Sequence, residues 1–156
     1  MTHILERVLI CGDRHYTDGM KIAAELRALK NRSPDVVICH GAARGADSLA
    51  GEEAAKRGIP VITFPADWKR YGKRAGPIRN RQMLKEFAPT LVLAFHDNID
   101  ISKGTADMVK IARAAGIPTF VFTNRAGIRG SHGGRIPKGD GGCRLQRSAS
   151  SLRPVP

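Results

Sequence analysis

His40-Gly41-Ala42-Ala43-Arg44-Gly45-Ala46-Asp47 is the stretch whose reading decides the fold. An apolar run, Val36-Val37-Ile38-Cys39, precedes it, and an alanine-rich segment, Ser48 to Arg57, follows it. The first has the pattern of a buried strand and the second that of a helix, so the stretch is a strand-to-helix turn. Ligands of open α/β sheets bind at such turns. Gly41 and Gly45 let the backbone approach a ligand, and the first amides of a helix favour an anion. Arg44 adds a charge that can fork onto phosphate. A phosphate or nucleotide cradle is one reading. Glycines that merely turn and cap the chain are the other, since a short glycine motif is unspecific.

Working outward, strands and helices alternate. Arg7 to Gly12 reads as a central buried strand and Met20 to Lys30 as a helix, with apolar residues at 22, 23, 26 and 29 and a cap from Thr17 or Asp18. Strands follow at Val36–Cys39, Pro60–Phe64, Thr90–Phe95 and Pro118–Thr123. Helices are predicted from about Arg44 to Arg57, from Pro77 to about Phe87 and from Gly104 to Ala115, with Gly58 and Gly116 as stops. Pro65 to Pro77 reads as a long connection of the kind that carries function. Five strands alternating with helices predict an α/β fold with a parallel sheet and helices on both faces. From Asn124 onward the chain is rich in Gly, Ser, Arg and Pro and has no apolar period. The division is therefore a domain over 1–123 and a basic, disordered tail over 124–156.

The 156 residues suit one domain, and the formal net charge is +12. The charge sits in two places. One is the tail, where residues 125–156 hold seven Arg/Lys and one Asp. The other is Lys69, Arg70, Lys73, Arg74, Arg79, Arg81 and Lys85, with no acid between them. Elsewhere acids and bases nearly balance. Polyanion binding is one reading and a solvated basic face the other. No apolar run reaches membrane length and the N-terminus lacks signal-peptide character, so the default expectation is a cytoplasmic protein. Cys11, Cys39 and Cys143 form neither a CxxC pair nor a Cys/His metal pattern, and no cofactor is called for.

In a parallel sheet the C-terminal strand ends share one edge. Four loops converge there: Gly12 to Tyr16, Gly41 to Asp47, Asp67 to Arg81 and His96 to Thr105. Ser102-Lys103-Gly104-Thr105 opens a helix and can hold phosphate, or Ser102 and Thr105 can serve as simple caps. His15, His40 and His96 lie in three of the loops, but no spacing fixes a metal site, and none is assigned. Trp68 and Tyr71 stand among basic residues and can stack on a base. Trp68 is expected rather to anchor the long loop, and Tyr71 to be exposed.

Four ordered motifs resemble one family. They are Cys-Gly-Asp-Arg at 11–14, His-Gly-Ala-Ala-Arg-Gly-Ala-Asp at 40–47, Gly-Pro-Ile-Arg-Asn-Arg-Gln-Met at 76–83 and Lys-Gly-Thr-Ala-Asp-Met at 103–108. Together, over about residues 5 to 123, they resemble the YspA-type, cpYpsA-related branch of the SLOG superfamily, whose wider relatives are DprA and the LOG phosphoribohydrolases. The resemblance implies a Rossmann-like three-layer domain that binds a nucleotide or nucleotide-derived ligand as sensor, carrier or processing protein. It implies Gly12 and Arg14 under the ligand, and Gly41, Arg44, Gly45 and Asp47 on phosphate or ribose. Arg79 and Asn80 would close over it, and Gly104 and Thr105 would cradle a phosphate. LOG hydrolases carry Pro-Gly-Gly-x-Gly-Thr-x-x-Glu with a catalytic Glu. Met108 stands at that position here and cannot transfer a proton. An N-glycosidic hydrolase would need Asp13, Asp47 or Asp97 instead, residues whose commoner role on a loop is capping or ion pairing. The third alternative is DprA-like single-stranded DNA binding through the basic run 69–85 and the tail. A homodimer is a further expectation of the resemblance.

Overall fold

The computed structural model describes residues 5–124. The expectation of a disordered tail concerns residues outside that range, apart from Asn124. Five strands form one parallel sheet: β1 (Arg7–Gly12), β2 (Val37–His40), β3 (Val61–Thr63), β4 (Leu91–Phe95) and β5 (Thr119–Phe122), in the order β3-β2-β1-β4-β5. The helices are α1 (Gly19–Arg32), α2 (Ala46–Lys56), α3 (Trp68–Tyr71), α4 (Ala75–Gln82) and α5 (Lys103–Ala114).

Strand periodicity makes the three layers. Val8 and Ile10 of β1 join Leu91, Leu93 and Phe95 of β4 under α1 and α2, which contribute Ile22, Leu26, Leu29 and Ala46, Ala50, Ala54. Leu9 and Cys11, with Val92 and Ala94, point to the opposite face, where Met83, Phe87, Met108, Val109 and Ala112 cover them. Both faces of β1 and β4 are buried, so these strands read as unbroken apolar runs rather than as an alternation. Burial on both sides also pushes the thiols of Cys11 and Cys39 well above the usual cysteine range, which leaves them protonated packing groups.

Several boundaries differ from the sequence reading. Asp18, not Thr17, caps α1, accepting from the Lys21 N–H at 3.0 Å. Helix α2 starts at Ala46 rather than Arg44 because Gly45 is at φ 74 and cannot continue a right-handed helix backward. The connection after β3 is not a plain loop. It folds into α3, whose first turn Asp67 caps, then a 3-10 turn over Gly72–Arg74 that runs into α4 at Ala75. Pro77 still falls in the first turn of α4, where its missing N–H does no harm. The helix predicted to Phe87 widens into a π turn at Met83–Phe87, keeping Met83 and Phe87 on the core while Ala88 turns the chain at φ 49. No helix among the described residues is long and apolar enough to cross a membrane.

The chain runs outward from β1 to β2 and β3, then crosses to β4 on β1's other side. The order therefore reverses between β1 and β4, and their C-terminal ends mark the crevice where such sheets bind ligands. Packing there is tight. The Asp13 N–H donates to the Phe95 carbonyl at 2.9 Å, and a Cβ on Gly12 would press on that same carbonyl and on the Ala46 methyl, 2.6 Å away. Gly104, by contrast, faces open space. Gly12→Ala should therefore destabilise the fold by about 1–3 kcal/mol through overpacking, whereas Gly104→Ala should stay within about 0.5 kcal/mol. Urea denaturation of the two variants measures both.

Candidate functional site

The turn after β2 is built around an internal carboxylate. Asp47, in the first turn of α2, is 4% exposed. Its Oδ2 accepts from the Gly41 N–H at 2.9 Å and the Ala43 N–H at 3.2 Å. Between them the Ala42 N–H donates to His40 Nδ1 at 3.0 Å, and Ala42 takes φ 55, a conformation uncommon for a residue with a side chain. The Ala46 N–H is held by the Asp13 carbonyl. The amides of Gly41, Ala42, Ala43 and Ala46 are therefore engaged within the chain, with the Asp47 carboxylate seated at the start of α2.

Positive charge is supplied by side chains instead. Arg79, on α4, donates through Nη1 to the carbonyls of Gly41 and Phe64 and through Nε to Asn80 Oδ1. One guanidinium thus ties the loops after β2 and β3 to α4. A Cβ on residue 41 would fall on that guanidinium, so a side chain there would displace Arg79 from its carbonyl partners. Burial lowers the Arg79 pKa, with Asp47 opposing the shift. Burial likewise holds His40 below the usual histidine range, helped by Arg79, so the imidazole stays a neutral acceptor for Ala42. Burial raises Asp47 to about 6, against the amides of Ala43 and Gly41 and the charges of Arg79 and Arg14.

A hollow of about 540 Å³ opens above this network, lined by Arg14, Gly41, Arg44, Pro65, Trp68 and Arg79 with the Ala42–Ala43 and Ala66 backbone. No acid is among these residues. Trp68 was expected to anchor its loop. Instead it is 49% exposed, with the Arg14 guanidinium 5.5 Å from its ring centroid. The missed signal was its place two residues beyond Pro65-Ala66, at the mouth of the β3 connection. Tyr71 is exposed as expected, under Arg70.

Of the ten residues singled out from sequence, Arg14, Gly41, Arg44 and Arg79 line the hollow. Gly12, Gly45 and Asp47 lie behind its wall as packing and hydrogen-bonding supports. A Cβ on Gly45 would press on the Asp13 and Arg14 backbone. Asn80 is buried and faces α5, donating to the Gly104 carbonyl at 3.2 Å and to Asp107 Oδ2 at 3.0 Å. Gly104 and Thr105 do not line the hollow. The Thr105 N–H is taken by the Ser102 hydroxyl at 3.0 Å, so Ser102 acts as the helix cap. Met108 is wholly buried in the apolar layer under α5. His96 Nδ1 accepts from the Asn98 N–H, and its Nε2 stands 3.9 Å from Asp13 Oδ2. Asp97 and the Tyr16 hydroxyl hold Asn124. Among the described residues no three His, Cys, Asp or Glu converge as a metal-binding group would require.

The parallel sheet, its strand order and the helical layers on both faces define a Rossmann-like α/β domain, and the hollow lies over the loops after β1, β2 and β3. The model of the YspA, cpYpsA-related SLOG family matches residues 6–71. The chain is also 36% identical over 127 residues to the gene 61 protein of Mycobacterium phage D29, covering 78% of this chain and 99% of that protein. The chain belongs to the YspA, cpYpsA-related SLOG family. Among solved structures, DNA processing protein A (DprA) of Streptococcus pneumoniae superposes with a TM-score of 0.62 at 19% identity, over 78% of this chain and 52% of that one. DprA of Helicobacter pylori, described for its single-stranded DNA binding mode, gives 0.57 at 20% identity, over 82% and 69%. This chain thus spans about half of the pneumococcal protein, and the likeness is one of fold.

The raised pKa of Asp47 makes a stability prediction. A carboxyl that holds its proton more tightly when folded contributes most below its unfolded pKa, near 4, and loses that contribution as pH rises through about 6. Relative to Asp47→Asn, which keeps an acceptor for the two amides, the wild type should lose up to about 3 kcal/mol between pH 4 and 7. Denaturation of both proteins across that range checks it.

Proposed function

We propose that the protein binds a phosphate-bearing nucleotide or nucleotide derivative in the Arg14–Arg44–Arg79 hollow. The observation that carries this reading is three guanidinium groups and a half-exposed tryptophan around one hollow at the C-terminal sheet edge, with no acid in the lining. Guanidinium forks suit phosphate oxygens, and an indole face suits a base. Arg79 is fixed by two backbone carbonyls, so little entropy is lost when it engages a ligand. The hollow falls within the usual size range of ligand sites. Binding without turnover accords better with this lining than N-glycosidic hydrolysis does. Met108 lies in the core, and Asp47 is committed to two amides.

A second reading has its own observation. Lys69, Arg70, Lys73 and Arg74 are all exposed along α3 and the following turn, with Tyr71 among them and Trp68 leading into the hollow. A basic strip with aromatics is the pattern of a single-strand binder, and a DprA of similar fold is described as binding single-stranded DNA.

Calorimetric titration of the full chain with ADP, and with a dT oligonucleotide at several salt concentrations, separates the two. On the first reading ADP binds, and Arg44→Ala or Arg79→Ala each weakens it by roughly 10- to 100-fold, the value of a charge-assisted hydrogen bond. On the second, Lys69, Arg70, Lys73 and Arg74 replaced together by serine abolish dT binding and its salt dependence. Failure of ADP and other nucleotides to bind at millimolar concentration overturns the first reading.

A further inference from the structure

Asp47 lies behind the hollow and feels the cations that line it. The charges acting on its carboxyl are the guanidinium groups of Arg79, on α4, and Arg14, in the loop after β1. Both also line the hollow. The other titratable groups of this network are the Cys11 thiol on β1, the Cys39 thiol on β2 and His40 at the end of β2. Burial keeps the thiols protonated, and burial together with Arg79 favours the neutral imidazole. Asp47 is the group here that changes charge near pH 6.

The two amides that Asp47 holds go to one oxygen. Oδ2 accepts from Gly41 and Ala43, while Oδ1 receives no hydrogen bond from any described residue. A proton can therefore settle on Oδ1 without releasing either amide, and the turn keeps its shape in both charge states. What changes is the field. With the carboxylate ionised, Arg79 and Arg14 are partly neutralised from behind. With it protonated, their charge is available in full to the hollow. Gly41 joins the two sides: its N–H donates to Asp47 and its carbonyl accepts from Arg79. The carboxyl is buried, so salt screens this interaction little.

We propose that an anion in the hollow and a proton on Asp47 bind together: each strengthens the other, and affinity for the ligand falls as the carboxylate ionises. This rests on the nucleotide reading above and adds the regulation of that site. Linkage fixes the sign. Arg79 and Arg14 favour the ionised carboxylate, and a phosphate on either guanidinium opposes that preference. Ligand therefore tightens Asp47's hold on its proton, and by reciprocity the proton tightens the hold on ligand. Burial sets the carboxyl at about 6, so the change falls between mildly acidic and neutral pH.

Calorimetric titration of the full chain with ADP at about pH 5 and about pH 8, in the wild type and in Asp47→Asn, makes the test. The terminal phosphate of ADP titrates in the same range, and the comparison between the two proteins removes its effect. At the lower pH, with Asp47 mostly protonated, the two should bind ADP alike. At the higher pH Asp47→Asn should bind about fivefold more tightly than the wild type, the scale of one partly screened charge acting on another. A residue that only shaped the turn would weaken binding when replaced, at both pH values. Carbon-13 NMR of the wild-type Asp47 carboxyl needs no substitution: saturating ADP should move its titration midpoint upward by about 0.7 of a pH unit, the same fivefold. Equal affinities at the higher pH, weaker binding there by folded Asp47→Asn, or a carboxyl titration that ADP leaves in place overturns the coupling while nucleotide binding stands. Binding of ADP to neither protein at either pH overturns the nucleotide reading and this inference with it.

Discussion

The guanidinium of Arg79, held between the carbonyls of Gly41 and Phe64, is the contact on which the site depends. Three chain segments far apart in sequence meet there: the loop after β2, the loop after β3, and α4. Glycine at 41 leaves room for the guanidinium, which a side chain there would displace. Behind the loop, Asp47 gathers the amides of Gly41 and Ala43, and its charge opposes the burial penalty on Arg79. Neither charge is comfortable alone: burial raises the carboxyl pKa and lowers that of the guanidinium. The Ala43 amide and the Arg79 charge offset part of the burial penalty on the carboxyl, and Asp47 offsets part of that on the guanidinium.

This arrangement sets the chemistry of the rim. Asp47 and His40 already take the amides of Gly41, Ala42 and Ala43, so the groups that face the hollow with positive charge are side chains. Guanidinium groups fork onto anions and stay charged when partly buried. Arg79 is held by carbonyls, whereas Arg44 is exposed and Arg14 is exposed beside the Trp68 ring. The hollow therefore combines one tethered cation with two at the surface. Trp68, reached through the short helix after β3, supplies the flat apolar surface.

Much of this was legible in the chain. Buried strands announced themselves as apolar runs, because β1 and β4 are covered on both faces, and the glycine after each of α2 and α5 marked where the helix stops. The His40–Asp47 turn was recognisable as the organising element. What it does was only half legible. An aspartate in a first turn is a known acceptor for free amides, yet sequence cannot tell whether it or a ligand takes them. Helix α3 was missed because its four residues, Trp68–Tyr71, lie on the surface and have no apolar period. The clamp by Arg79 was invisible for a different reason. It joins residues 38 positions apart, a separation that no local pattern encodes. Asn80 looks like a ligand group in sequence, but its side-chain amide joins α4 to α5, and the Thr105 N–H is taken by the Ser102 hydroxyl that caps α5.

A crystal structure of the full chain with ADP bound tests the central claim most directly. The account predicts phosphate oxygens within hydrogen-bonding distance, about 2.7–3.2 Å, of the Arg44 and Arg79 guanidinium groups, with Asp47 still on the Gly41 and Ala43 amides. Phosphates seated at the Ser102–Thr105 helix start, or along Lys69–Arg74 with Arg44 and Arg79 unengaged, would contradict it.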